Sequence, residues 1–309
     1  MAQPDDAPAV ALGPQGQPNG GSRAQRLFSL PAVVIQTATA TGYGLWMVLG
    51  TAVALGSYPD GRGDVLVPLF FGLVLVSLGL VATCLRLGFA PDWHGWDPFR
   101  RMLPTTEGMV AMANYLPMLA LGGLARGDND FWATRLAGAA LMICSLATLI
   151  YTARGVAREM PAPLASVVNA QPLGRAVSAV FGGGLWFWLC VALQSETVVG
   201  PLNPWRLSML AMGLALGVIE GMRWRALRQL ADERGASAFL SPDRGAATLL
   251  AWCFSIAVLS VGLPCVLLVS HPTGPLVAVA AGMAALSCVI GQCLEQRLYG
   301  RALAQLAGR

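Results

Sequence analysis

At 309 residues, with 55% hydrophobic side chains, only 12% charged and a mean hydropathy of +0.60, the chain has the composition of a membrane protein rather than a water-soluble domain. Its net charge of +4 rests on arginine alone, for there is no lysine. It shows no glycine-rich phosphate loop after a strand, no nucleophile elbow and no polar stretch long enough to bury its own core. Catalysis on a soluble substrate by this chain alone is therefore not expected, and neither is a nucleic-acid partner.

Residues 1–29 are rich in Pro, Gly, Ala and Gln and cannot offset the entropy of ordering by burial, so they are expected to form a disordered cytoplasmic tail. They are not a signal peptide, because the first apolar stretch starts near residue 30 and is too long for one. About 20 mainly apolar residues cross the hydrocarbon core as a helix. Eight such stretches are predicted, at 30–56, 65–85, 106–125, 131–152, 175–195, 206–222, 246–270 and 275–295. The sixth is short and ends near Glu220. The expected fold is therefore an all-α polytopic membrane protein. Its eight transmembrane helices form one bundle over residues 30–296, with a short cytoplasmic tail at 297–309.

Sixteen of the twenty arginines fall in the two tails and in the alternate connectors 86–105, 153–175 and 223–245. Only Arg62, Arg126, Arg135 and Arg206 fall on the opposite side. This positive-inside bias places both termini in the cytoplasm, and the predicted localisation is a bacterial inner membrane. The 223–245 connector carries five arginines, which suit either a soluble partner or anionic membrane lipids.

In the first span, TATATGYG sets small residues on one face for close helix approach. Gln36 and Tyr43 there either line a cavity or bond to a neighbouring helix. Tyr58-Pro59-Asp60-Gly61 has turn chemistry. The connector after span two interleaves Trp93, Trp96 and Phe99 with Arg100 and Arg101, which suits a segment at headgroup level. Thr105-Thr106-Glu107-Gly108 caps the third helix, and Glu107 there is at once a favourable first-turn carboxylate and an ionisable group at membrane depth. Pro117, close to Asn114, is expected to kink that helix; Pro264 interrupts the seventh span in the same way.

Seven cysteines, none in a CxxC pair, are expected to be packing residues, with no metal site in this chain. Glu220 and Glu295 lie near the ends of spans six and eight, where Arg223 and Arg297 are available as partners, and both are read as structural. His271, beside Pro272, is read as a loop residue on the outer side.

Arg86-Leu87-Gly88, the arginine and aromatic connector, the Thr105-Thr106-Glu107 entry, Thr148-Leu149-Ile150-Tyr151-Thr152-Ala153 followed by Pro161-Ala162-Pro163, and the ending Gly291-Gln292-Cys293-Leu294-Glu295-Gln296-Arg297-Leu298-Tyr299 together resemble the anchor subunit family of dimethyl sulfoxide reductase. The resemblance covers most of residues 30–300. It implies a membrane anchor in anaerobic respiratory electron transport. Such an anchor oxidises menaquinol or another quinol and passes electrons to an iron–sulfur subunit, which serves a molybdopterin catalytic subunit. On this reading Glu107 is the proton acceptor, and Arg86, His94, Arg100, Asn114 and Tyr151 are quinol-facing candidates. The family's turn histidine falls on Arg86, which cannot accept a proton but can hold a quinone oxygen. Haem is not expected, because His94 and His271 fall on opposite faces. The alternative is a small membrane transporter or lipid-handling protein, although the two halves of the chain do not resemble each other.

Overall fold

The structure, a computed structural model, describes residues 30–58, 64–84, 106–125, 131–158, 171–194, 204–233, 245–270 and 274–307. The regular elements among them are all helical. They are α1 (Leu30–Ala54), α2 (Leu66–Cys84), α3 (Thr106–Ala113), α4 (Tyr115–Leu124), α5 (Trp132–Arg158), α6 (Gln171–Gln194), α7 (Pro204–Glu233), α8 (Gly245–Ala257), a π-helical turn (Val258–Gly262), α9 (Leu263–Val269) and α10 (Leu276–Ala307). Six stretches are long and apolar enough to cross a membrane: Leu30–Ala54, Trp132–Arg154, Pro172–Gln194, Pro204–Glu233, Ala251–Val269 and Leu276–Leu303. Leu66–Gly79 and Met109–Leu124 are apolar but shorter.

The side chains are arranged inside out with respect to a water-soluble protein. Phe70, Leu116, Leu214 and Phe254 point outward, while Thr37, Thr39, Asn114, Ser145 and Thr148 are buried. So much outward apolar surface is tolerated in lipid and not in water, and Thr39, Thr148 and Thr152 bond the carbonyl one turn back, Thr39 Oγ1 at the Ile35 carbonyl, 2.7 Å away.

Helix α1 is the hub. It packs on α2, α5, α6 and α10, and its TATATGYG face makes the close approach expected of it. A Cβ at Gly44 would sit 1.7 Å from the Ala179 carbonyl oxygen of α6, and one at Gly183 would sit 2.1 Å from the Leu45 backbone nitrogen. Further along α1, Gly50 and Gly138 of α5 touch backbone to backbone, with hypothetical Cβ contacts of 2.5 and 2.9 Å. These are direct main-chain crossings of the small-residue kind. Around them Tyr43, Leu45, Trp46, Leu49, Leu121 and Leu141 form the first core. Trp46 Nε1 donates to the Leu69 carbonyl at 3.1 Å and fixes α2 against α1. A second core joins Phe181, Leu185, Met209, Leu216, Leu268 and the alanine face Ala280, Ala281, Ala284 and Ala285 of α10.

Contacts fix the helix directions. Gln36 meets Arg175 and Tyr58 meets Gln194, so α1 and α6 run parallel. Gly42 and Trp46 meet Val76 and Gly72, so α2 runs back along α1, and Ser178 and Leu189 meet Gln292 and Gly282, so α10 runs back along α6. The start of α1 therefore shares one end of the bundle with the start of α6 and the last turns of α7 and α10. At the other end, Pro68 has no N–H to offer the Asp64 carbonyl, which takes the Val67 N–H at 3.3 Å in its place. It also accepts from Gln194 Nε2 at 2.8 Å, and the Tyr58 hydroxyl lies 3.1 Å from it and 2.9 Å from Gln194 Oε1. Burial, and then the Asp64 carboxylate, push the Tyr58 phenol well above its ordinary value, which keeps it a donor.

Both prolines act where expected. Pro117 has no N–H for the Ala113 carbonyl, and the third helical stretch breaks between α3 and α4 at Asn114, whose own N–H bonds Ala111 at 3.3 Å. Pro264 cannot bond the Ser260 carbonyl, and the helix widens into the π turn just before it. Two helix ends differ from expectation. The sixth stretch does not stop near residue 222 but continues as α7 to Glu233, and α10 runs to Ala307 through the segment expected to be a tail. Arginine ends an apolar window without ending a helix, and the two extensions pack together through Leu227, Ala231, Tyr299 and Leu303.

Adding a methyl at the α1–α6 crossing should therefore be costly, whereas Gly217, with nothing within 4 Å, should tolerate one. Gly183→Ala is expected to lose about 1–3 kcal/mol or more of stability, and Gly217→Ala to be neutral or to gain up to about 1 kcal/mol. Thermal unfolding of both variants in lipid nanodiscs checks this.

Candidate functional site

Of the residues singled out from the sequence, Arg86, His94 and Arg100 lie outside the described residues, as do Trp93, Trp96, Pro161, Pro163 and His271. Glu107 is the second residue of α3, as the capping pattern predicts, and its side chain is also outside the described ones. Asn114 and Tyr151 are described. Asn114 is fully buried at the α3–α4 break and faces α5. Its Nδ2 donates to the Val110 carbonyl at 3.3 Å and to Thr148 Oγ1, while its Oδ1 accepts from Ser145 Oγ at 3.2 Å. Thr148 in turn donates to the Cys144 carbonyl at 2.9 Å. The amide is thus engaged in bracing the break that Pro117 creates. Tyr151, half-buried, follows Thr148 by three residues on α5.

The densest chemistry lies elsewhere, where α1, α6, α7 and α10 meet at the end shared by the start of α1 and the close of α10. Glu220 and Glu295 are 7% and 5% exposed. Their carboxyl groups lie near enough to feel each other's charge. Arg223 Nη1 reaches Glu295 Oε1 at 3.4 Å, and the guanidinium stacks 4.3 Å over the Tyr299 ring, which Trp224 meets edge-on. On α6, Gly174 leaves room for the Arg223 side chain, whose Cδ would lie 3.6 Å from a Cβ there. Its neighbour Arg175 donates through Nη2 to Gln36 Oε1 of α1 at 3.1 Å, lying near enough to Arg223 to feel its like charge. Gln292, one turn before Glu295, donates to the Ser178 carbonyl at 3.1 Å and to Cys288 Sγ at 3.3 Å. Cys293 bonds Thr37.

Four ionisable groups from three helices thus meet in a mostly enclosed space, with Gln36 as a polar arm from a fourth. The sequence pointed to Glu220 and Glu295 only as structural acids beside Arg223 and Arg297. In the structure Arg223 passes over its own-helix neighbour and pairs with Glu295, 72 residues away. Arg175 and Gln36 were not linked at all from sequence. A readable signal existed: Glu220, Arg223 and Leu227 share one face of α7 at helical spacing, and Gln292, Glu295 and Tyr299 share one face of α10. Gln36 resolves to a partner on the neighbouring helix rather than a cavity lining.

Among the described residues no group of three or more His, Cys, Asp or Glu side chains is placed to hold a metal ion. Compared with known proteins, the chain matches no family model, no curated protein and no solved structure.

Removing one partner from an enclosed ion pair leaves the other uncompensated. Arg223→Ala should lower stability by roughly 3 kcal/mol, and the double variant Arg223→Ala/Glu295→Gln should recover a large part of that loss. Unfolding of the two single variants and the double variant in one lipid system measures the coupling; simple additivity would show that the pair does not interact.

Proposed function

We propose that the chain is the eight-span, quinol-oxidising anchor subunit of a respiratory complex resembling dimethyl sulfoxide reductase, in a bacterial inner membrane with both termini cytoplasmic. One observation carries the reading. Helix α3 begins with the Thr106-Glu107 entry, and the chain's arginines concentrate in the tails and alternate connectors that adjoin this entry and the buried ionic cluster. A positively charged face with an acid at a helix entrance suits both docking of an iron–sulfur partner and uptake of the proton released there.

Oxidation of one quinol releases two electrons and two protons. Glu107 accepts a hydroxyl proton as the electrons leave, Arg86 and Arg100 hold the quinone oxygens by charge-assisted hydrogen bonds, and His94 is the further acid–base candidate. Asn114 and Tyr151 shape the pocket behind the entry, Asn114 through the α3–α4 break that it braces. The electrons pass to the iron–sulfur subunit and on to the molybdopterin subunit. No haem and no metal of this chain take part in the scheme.

Glu107→Gln removes the acceptor while keeping size and polarity. Quinol oxidation by the assembled complex should fall by about 10²-fold or more, while co-purification of the iron–sulfur and molybdopterin subunits stays unchanged. Wild-type turnover in this variant would remove the proton role.

A transporter or lipid-handling protein is the second reading, favoured by the two broken helices, at Asn114 and at Val258–Gly262, and by the enclosed acids and arginines. It predicts uptake of a solute by the chain reconstituted alone in vesicles. The anchor reading predicts no uptake without partner subunits.

A further inference from the structure

We propose that Glu220 and Glu295 form a proton-binding site that holds one exchangeable proton between two carboxyl groups inside the helix bundle. The site is separate from the Glu107 entry and does not rest on the quinol reading.

The grounds are geometric. The two enclosed carboxyls come from helices α7 and α10 and flank one guanidinium, that of Arg223, which bonds Glu295 at 3.4 Å and follows Glu220 by one turn on the same face of α7. Two carboxylates beside one such cation leave an enclosed negative charge uncompensated, and a proton on one of them removes it. Glu220 is 7% exposed, and its Oε1 is buried without a hydrogen-bond partner. The counter-charges around the pair are arranged unequally. Arg223 bonds Glu295 at 3.4 Å and stacks on Tyr299, whereas Arg175 of α6 is directed to the Gln36 amide of α1.

Titratable neighbours among the described residues include Cys288, near Glu220, and Cys253 of α8, near Glu295 and Arg228. Neither thiol supplies a second positive charge to Glu220. One ionised carboxyl paired with Arg223 and one protonated carboxyl beside it is therefore the arrangement that leaves the least enclosed charge uncompensated. This is the logic of acid dyads that share a proton because like charges a few ångströms apart do not both ionise. Glu220 and Glu295 lie one turn from the arginine-bearing extensions of α7 and α10, which gives the proton a short path to the face on which those extensions end.

Infrared spectroscopy of the purified full-length chain in lipid nanodiscs tests the proposal, through the carboxylic-acid C=O band at neutral pH in light and heavy water. The wild type should show a band that shifts in heavy water. Glu220→Gln and Glu295→Gln should each abolish it completely, because in either variant the remaining carboxylate pairs with Arg223 and no proton is left to share. Loss of the band in only one variant, or spectra identical for all three proteins, would overturn the shared site. Should a Gln variant fail to accumulate, Glu220→Asp and Glu295→Asp serve in its place. They keep the acid but withdraw it by one methylene, and each should weaken or shift the same band; unaltered bands in both would again overturn it.

Discussion

Direct main-chain contact at the two glycine crossings of α1 is the constraint on which the bundle depends. Lipid tails are as apolar as leucine, so burying apolar surface does little to hold helices together once they are in a membrane, and close packing has to do it. Gly44 against Ala179, Gly183 against Leu45, and Gly50 against Gly138 bring α6 and α5 directly onto α1 with no side chains between. Tyr43 and Trp46 fill the space that opens above and below these contacts, edge to face at 6.0 Å, and Trp46 anchors α2 through its indole N–H.

The same crossings position the polar chemistry. Gln36 lies eight residues before Gly44, about 12 Å along the helix at 1.5 Å per residue. Because α1 and α6 run parallel there, Gln36 is delivered beside Arg175. Helix α10 lies back along α6 through Gln292 and Ser178, which sets Glu295 opposite Glu220 and Arg223 of α7. An ionic cluster in this position is held by four helices at once. It becomes a specifying contact, since no single helix shift keeps all its partners.

The sequence announced the helical stretches because apolar runs of some 20 residues have few other uses, and it announced the α1 face because Thr, Ala and Gly recur there at helical spacing. The break near Pro117 and the π turn before Pro264 follow from a missing N–H and were readable residue by residue. The ends of α7 and α10 were not. Hydropathy falls at Arg223 and Arg297, yet the helices continue because Leu227, Ala231, Tyr299 and Leu303 give their extensions a private apolar seam. Nor was the pairing of Arg223 with Glu295 readable, since it joins residues 72 apart and Arg297 stood nearer in the chain. Attention to the unusual residues of the 86–117 stretch led toward Glu107 and Asn114. Asn114 proves to be a brace within the bundle, and the larger ionisable group lay in helices that looked merely apolar with charged ends.

The central claim is that the helices cross a membrane with the arginine-bearing helix ends on one side and the Tyr58 turn on the other. Single cysteines at Ser57 and Arg301, both exposed, in a background with the native cysteines replaced, test it with a membrane-impermeant thiol reagent on intact cells. The account predicts labelling of Ser57→Cys from outside and of Arg301→Cys only after permeabilisation. Labelling of both from the same side, or in the reverse order, would contradict it.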